Sequence, residues 1–200
     1  MIYGLILAAG ESKRMGQPKL LLPYGESTVI ESVLKAANGS RLNDTLVVCP
    51  PQGARILELV ERFSFQVVIN PRPEKGMLSS VVVGLNRIPQ EAEAMVVILG
   101  DQPAISSSLI DLLIIGYRVK GSGIIVPVYK QKRGHPVLFD LKYREEISRL
   151  NPEIGLRALL RMYPDDVLEI PVNEPAAVLD VDTPEDYLRL RPGQGQKGKS

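Results

Sequence analysis

Residues 7–19 read LAAGESKRMGQPK, directly after the apolar run IYGLIL (2–7). A short apolar run that ends in small residues reads as a buried strand entering a turn. In an open parallel sheet, ligands bind at the carboxyl ends of the strands. Residues 8–19 therefore fall on the ligand edge. Small residues there let backbone N–H groups approach an anion. Ser12, Lys13, Arg14 and Lys19 add side-chain donors. A phosphate chain is the natural ligand of such a loop; the alternative is a glycine-rich turn carrying solvated charges. The dinucleotide pattern GxGxxG is missing, because Gly10 and Gly16 stand too far apart, and GxxxxGK[ST] fails because Gln17 follows Gly16.

Outward from this loop, apolar runs alternate with amphipathic segments. TLVVC (45–49), QVVIN (66–70), AMVVILG (94–100) and GIIVPV (123–128) read as strands, with helices over 28–38, 53–63, 77–87 and 106–117. Thr28 and Glu31 form a capping box for the first helix. The βαβαβαβαβ order predicts an α/β fold, Rossmann-like and three-layered (αβα), with a mostly parallel central sheet. After residue 128 the rhythm changes. HPVLF (135–139), VLEIPV (167–172) and AAVLDV (176–181) read as short strands, and two short helical stretches fall within 141–162. Thr183 caps a last helix with Pro184 in its first turn. Residues 191–200 are polar and glycine-rich and read as a disordered tail.

With 200 residues, the chain has room for one domain with a real core, expected over 1–190. Apolar content of 44%, charged content of 24% and a net charge of +1 are those of an ordinary globular protein. No nucleic-acid or membrane partner is expected from that balance. The single cysteine, Cys49, reads as a buried small hydrophobe, and it cannot form an internal disulfide. With no spanning or targeting segment in sight, a reducing, cytoplasmic setting is expected. His135 is the only histidine, which disfavours multi-histidine zinc sites and Ser–His or Cys–His triads.

Other residues fall on the same edge. ILGDQP (98–103) places Asp101 after a strand with Gly100 beside it; a carboxylate there suits Mg²⁺ or caps the next helix. VLDVDTP (178–184) places Asp180 and Asp182 on one face of an extended segment, so either could meet Asp101; the alternative is a pair of turn residues. NPRPEKGMLSS (70–80) offers Gly76, Ser79 and Ser80 to a base or ribose, or is a plain loop. RGHPVL (133–138) holds His135 in a tight bend, as a structural histidine or a hydrogen-bond partner of substrate.

Together these residues carry a resemblance over 2–190. LAAGESKRMGQPKLLLPYG (7–25) resembles the LAAGxSxRMGxxKLLLP signature of nucleotidyltransferases with the MobA-like NTP transferase, or nucleotide-diphospho-sugar transferase, fold. GDQP, GHPVLF, DVDTPEDY and the NPRPEKGMLSS loop are similar to those of the molybdenum cofactor cytidylyltransferase (MocA-like) branch. Related guanylyltransferases usually carry LAGG where this chain has Leu7-Ala8-Ala9-Gly10, which favours cytosine.

The resemblance implies transfer of CMP from CTP to the phosphate of molybdopterin with release of pyrophosphate. It implies that Leu7 to Gly10 lie along the nucleotide, with Ala8 and Ala9 near the base. Ser12 and Gly100 belong to the same nucleotide site. Arg14 and Lys19 would hold the triphosphate, with Ser79 and Ser80 near base and ribose. Asp101 would bind Mg²⁺, with Mn²⁺ as a substitute, and Asp182 ahead of Asp180 would be the second ligand. Gln102, Pro103, Gly134 and His135 would face the acceptor. Residues 1–128 form the nucleotide half and 129–190 the acceptor half. An implied partner is a molybdoenzyme of the xanthine dehydrogenase type. Two alternatives remain open: the same fold using GTP or another phosphate acceptor, and a protein that delivers the cofactor.

Overall fold

The computed structural model describes residues 1–10, 12 and 14–191. Glu11, Lys13 and the expected tail over 192–200 lie outside the described residues. Strand-length apolar runs become β1 (Ile2–Leu7), β4 (Asp44–Cys49), β5 (Gln66–Ile69), β6 (Ala94–Leu99) and β7 (Ile124–Tyr129). A small hairpin, β2 (Pro23–Tyr24) and β3 (Ser27–Thr28), precedes α1 (Val29–Asn38). The other crossover helices are α2 (Ala54–Glu61), α3 (Met77–Leu85) and α4 (Ser107–Lys120). Beyond β7 come β8 (Lys132–Arg133), β9 (Val137–Asp140), α5 (Arg144–Arg149), α6 (Arg157–Met162), β10 (Val167–Pro171) and α7 (Pro184–Leu190). The expected capping box holds α1: Thr28 Oγ1 accepts from Glu31 N, and Glu31 Oε2 accepts from Thr28 N. A second box, Thr183 with Asp186, starts α7.

The main sheet runs β5-β4-β1-β6-β9-β7-β10, with β8 paired to β7. Pairing is parallel from β5 to β6 and between β7 and β10. β9 is antiparallel to both neighbours. The sheet is mostly parallel, as expected, but β9 lies between β6 and β7 and interrupts the parallel run. Its Val137, Leu138 and Phe139 are all buried, and a strand apolar on both faces needs an interior place.

Alternation along the strands builds two cores. Ile2, Ile6, Val47, Cys49, Val96 and Ile98 face one side, under α1, α2 and α4. Leu5, Leu46, Val48, Met95 and Val97 face the other, under α3, α5 and α6. This is the expected three-layer arrangement. Cys49 is fully buried, and burial pushes its thiol up to about 12. No helix among the described residues is long and apolar enough to cross a membrane.

One expected strand is absent. Residues 175–178 form a 3-10 turn, and the chain then runs extended without pairing in a sheet. Pro175 has no N–H for a ladder. Val181 N donates instead to Asp101 O, at 2.9 Å.

Candidate active site

Chain geometry after β1 brings the first loop over the sheet edge. Ala8 N still donates to Val48 O, which carries β1 one residue further. The loop then turns through Ser12, at φ 51°, where Met15 N donates to Ser12 O. Lys19 N donates to Ser12 Oγ at 3.3 Å, which draws the loop's end back over its start. Lys19 then points inward, only 8% exposed.

Three distant segments meet at that ammonium. Lys19 Nζ donates to Asp101 Oδ2 at 2.6 Å and to Asp182 Oδ1 at 2.9 Å. Arg14 Nη2 lies 2.8 Å from Asp182 Oδ2. The Lys19 side chain is 10% exposed and its two carboxylates 21% and 23%, whereas Arg14 is 70% exposed. The lysine is thus the strongly held cation, and the arginine pair is screened by solvent. Burial pulls the Lys19 pKa down, but the charges and hydrogen bonds of Asp101 and Asp182 outweigh it and hold it above the ordinary lysine value. Burial raises Asp182, but Lys19 and Arg14 outweigh it and leave the carboxyl below its usual range. Asp180 goes the other way: burial, then the charges of Asp182 and Asp101, raise it.

A cleft of about 460 Å³ opens beside this cluster. Leu7, Ala9, Gly10, Ser12, Arg14 and Lys19 line one wall, and Asp101, Asp180 and Asp182 line another. Gly76 and Ser80 close the third, together with Pro73, Glu74 and Met77. Those last three went unnoticed in the sequence, although they stand in the quoted NPRPEKGMLSS loop; proline, an acid and a methionine carry no phosphate signal. Ala8, Ser79 and Gly100 do not line the cleft. Ala8 belongs to the opposite core, because side chains alternate across the extended chain. Gly100 N donates to Leu7 O, joining the ends of β6 and β1.

The residues expected to face an acceptor also stand outside the cleft lining. His135 N donates to Ala177 O at 2.8 Å, which pins the 134–135 bend to the 3-10 turn. A Cβ on Gly134 would meet Ala177 O at 2.1 Å, so only glycine fits there. Burial pushes the His135 imidazole down to about 4; the Asp101 charge works against this, and Arg157 works with it. Pro103 is buried, as is Gln102, whose Oε1 has no partner among the described residues. Among the described residues, no group of three or more His, Cys, Asp or Glu is placed to hold a metal.

The MobA-like NTP transferase domain family matches residues 4–167. A protein described as molybdenum cofactor cytidylyltransferase, from Escherichia coli strain K12, is 29% identical over 192 residues and covers 94% of each chain. Purine catabolism protein PucB of Bacillus subtilis strain 168 is 31% identical over 209 residues, covering 95% of this chain and 96% of its own. Among solved structures, Rv0371c of Mycobacterium tuberculosis H37Rv superposes with a TM-score of 0.83 at 30% identity, over 94% of this chain and 96% of that one. Rv0371c has also been solved in complex with manganese; that structure superposes with a TM-score of 0.76 at 29% identity, over 94% and 97%. The match runs through the first loop, the GDQP turn and the inserted β9, and the chain belongs to the MobA-like NTP transferase family of nucleotidyltransferases.

Proposed function

We propose that this nucleotidyltransferase moves CMP from CTP to the phosphate of molybdopterin, releasing pyrophosphate. One observation carries the reading: the Lys19 ammonium, seated between Asp101 and Asp182 with Arg14 beside it, lines the same cleft as Gly76 and Ser80. Charge for a triphosphate and small, uncharged residues for a nucleoside thus line one cleft. Ala9, where related guanylyltransferases usually carry glycine, lines the same cleft, and its methyl group favours the smaller pyrimidine. The E. coli relative's description supplies the acceptor, molybdopterin. The description of the Bacillus relative as a purine catabolism protein fits a recipient enzyme of the xanthine dehydrogenase type.

Two carboxylates with solvent access suit Mg²⁺, which takes one or two carboxylates and completes its shell with phosphate oxygens and water. Asp101 and Asp182 would hold it, ahead of Asp180. Lys19 already shows that this pair accepts a cation. When bound, the metal neutralises charge on the triphosphate; Mn²⁺, present in a structure of Rv0371c, would serve in its place.

The chain's own residues do the rest. Lys19 and Arg14 hold the β- and γ-phosphates and stabilise the pyrophosphate as it leaves. The acceptor's phosphate oxygen bonds to the α-phosphorus, and the α–β bridging bond breaks with its electron pair going to pyrophosphate. A phosphate monoester is already an anion near neutral pH, so no general base is needed. His135, held neutral above about pH 4, is not required as one. Catalysis is therefore positioning plus charge neutralisation. In this scheme residues 1–128 hold the nucleotide, and 129–190 with Gln102 and Pro103 hold the acceptor. The test is pyrophosphate release from CTP, GTP, ATP and UTP in Mg²⁺ or Mn²⁺, with molybdopterin, with a sugar phosphate and with no acceptor. Release with CTP and molybdopterin alone is expected. Release with GTP moves the chain to guanylyl transfer, and release with a sugar phosphate replaces the acceptor.

A further inference from the structure

The edge that holds the nucleotide cleft continues along the sheet. Val96, Leu138, Ile125 and Leu168 form one row across β6, β9, β7 and β10. β6, β7 and β10 run the same way, so Asp101, Lys130 and Asn173 lie equally far beyond that row, on the carboxyl edge. β7 and β10 stand two and three strands from β6, about 10 and 14 Å away at the usual strand spacing. The Gly134–His135 bend leads into β9, between β6 and β7. Sides agree as well. Ala9 of the cleft and Val126 of β7 belong to the same core, under α3, α5 and α6. Alternation puts Val128 on that side, with Arg133 paired opposite it. There Arg133 Nε donates to Glu169 Oε1 at 2.6 Å.

A hollow of about 650 Å³ opens at this place, between the β7–β8 turn and the end of β10. Val128 and Pro171 give it apolar surface, Tyr129 an aromatic ring, Gln131 and Asn173 their amides, and Glu169 a carboxylate. Lys130 and Gln131 hold the turn in the left-handed region, at φ 46° and 66°, where glycine or asparagine is the usual choice. Such a cost is often held beside a ligand. Among the described residues nothing donates to Glu169 Oε2. An ionised carboxylate only accepts, so what Glu169 can select is a ligand with N–H donors.

We infer that this hollow is the far subsite of the acceptor and that Glu169 is its specificity-determining residue. The acceptor lies along the carboxyl edge, with its phosphate at the ion cluster. Past His135, an aminopyrimidinone ring meets Glu169, and its amino group and the adjoining ring N–H are the donors. A pterin carries that edge. The inference rests on the molybdopterin reading, and it names the residue that excludes acceptors without such a ring, sugar phosphates among them.

The test is the Michaelis constant for molybdopterin and for CTP in wild type and Glu169→Gln. It is joined by competitive inhibition with two free rings, pterin and lumazine, in which an oxo group replaces the amino group. Glu169 is half-exposed, and a glutamine there still accepts from Arg133 through its amide oxygen. Its NH₂ then faces the ring's own donors. The variant should raise the constant for molybdopterin about tenfold and leave the constant for CTP, the turnover number and the melting temperature unchanged. Wild type should be inhibited better by pterin than by lumazine, and the variant should lose that preference. Removing a negative charge would by itself draw an anionic acceptor in, so weaker binding is not a general charge effect. An unchanged constant for molybdopterin, or a wild type inhibited equally by both rings, would overturn the inference and leave transfer to molybdopterin standing. A wild type that releases pyrophosphate from CTP with another acceptor but not with molybdopterin would overturn the acceptor reading, and this inference with it.

Discussion

Lys19 occupies the position where two carboxylates, one from the middle of the chain and one from near its end, need a cation. A divalent metal and this ammonium compete for the same oxygens, and a triphosphate gives the ammonium another partner. Lys19→Met is therefore expected to raise the affinity of the nucleotide-free protein for Mn²⁺, read by electron paramagnetic resonance. The same variant should lose CTP binding by far more than cytidine binding. Mn²⁺ affinity that does not change would mean that Lys19 does not guard the pair. Asp101→Asn keeps the side chain's size but removes its charge. Loss of a preorganised charge contact of this kind costs about 100-fold or more in turnover. We expect that loss in pyrophosphate release, with the circular dichroism spectrum retained. Near-normal turnover would remove Asp101 from the machinery.

Elements hold these residues in place, and two of them make separable predictions. The Gly134–His135 bend sits against the 3-10 turn, where a Cβ on residue 134 would overlap Ala177 O. That turn leads directly to Asp180 and Asp182. Gly134→Ala must push the two segments apart, at a cost of about 1–3 kcal/mol by analogy with overpacked cores. Its denaturation midpoint should fall, and its activity should fall too, because Asp182 moves with the turn. Thr28→Ala removes the capping box of α1 at the far side of the hairpin. It should cost about 1 kcal/mol in stability and leave the Michaelis constant for CTP unchanged. A fall in midpoint without loss of activity in both variants would uncouple the bend from the site.

Across the whole molecule, the one histidine makes stability depend on pH. Burial lowers the folded-state pKa of His135 from 6.5 to about 4, with Asp101 and Arg157 as the charges that bear on it. Between those values the unfolded chain binds the extra proton and the folded chain does not. Stability therefore rises with pH across that window and is lost as pH falls from about 6.5 to about 4, with a slope of at most about 1.4 kcal/mol per pH unit. His135→Gln should flatten the slope relative to wild type in urea titrations at pH 4.5, 5.5 and 6.5. Parallel curves for the two proteins would place the imidazole in solvent.

Periodicity and local chemistry were enough to read β1, the four crossover helices and both N-terminal caps, because each depends on residues close in sequence. Alternating apolar positions, Thr28 with Glu31, and Thr183 with Pro184 carry their own signals. The place of β9 between β6 and β7, the turn at 175–178 and the parting of Ala8 from Ala9 could not be read that way. Each depends on which surface another segment leaves open: a gap one strand wide, a pocket against Gly134, the side of the sheet that α1 covers. The ion cluster shows both halves. Lys19, Asp101 and Asp182 could be picked out singly as polar residues at strand and loop ends. That an ammonium would lie within 2.9 Å of two carboxylates, 82 and 163 residues further along the chain, was decided only when the strand order brought those ends together in space. Sequence separation carries no information about such a distance, and packing of the sheet supplies all of it.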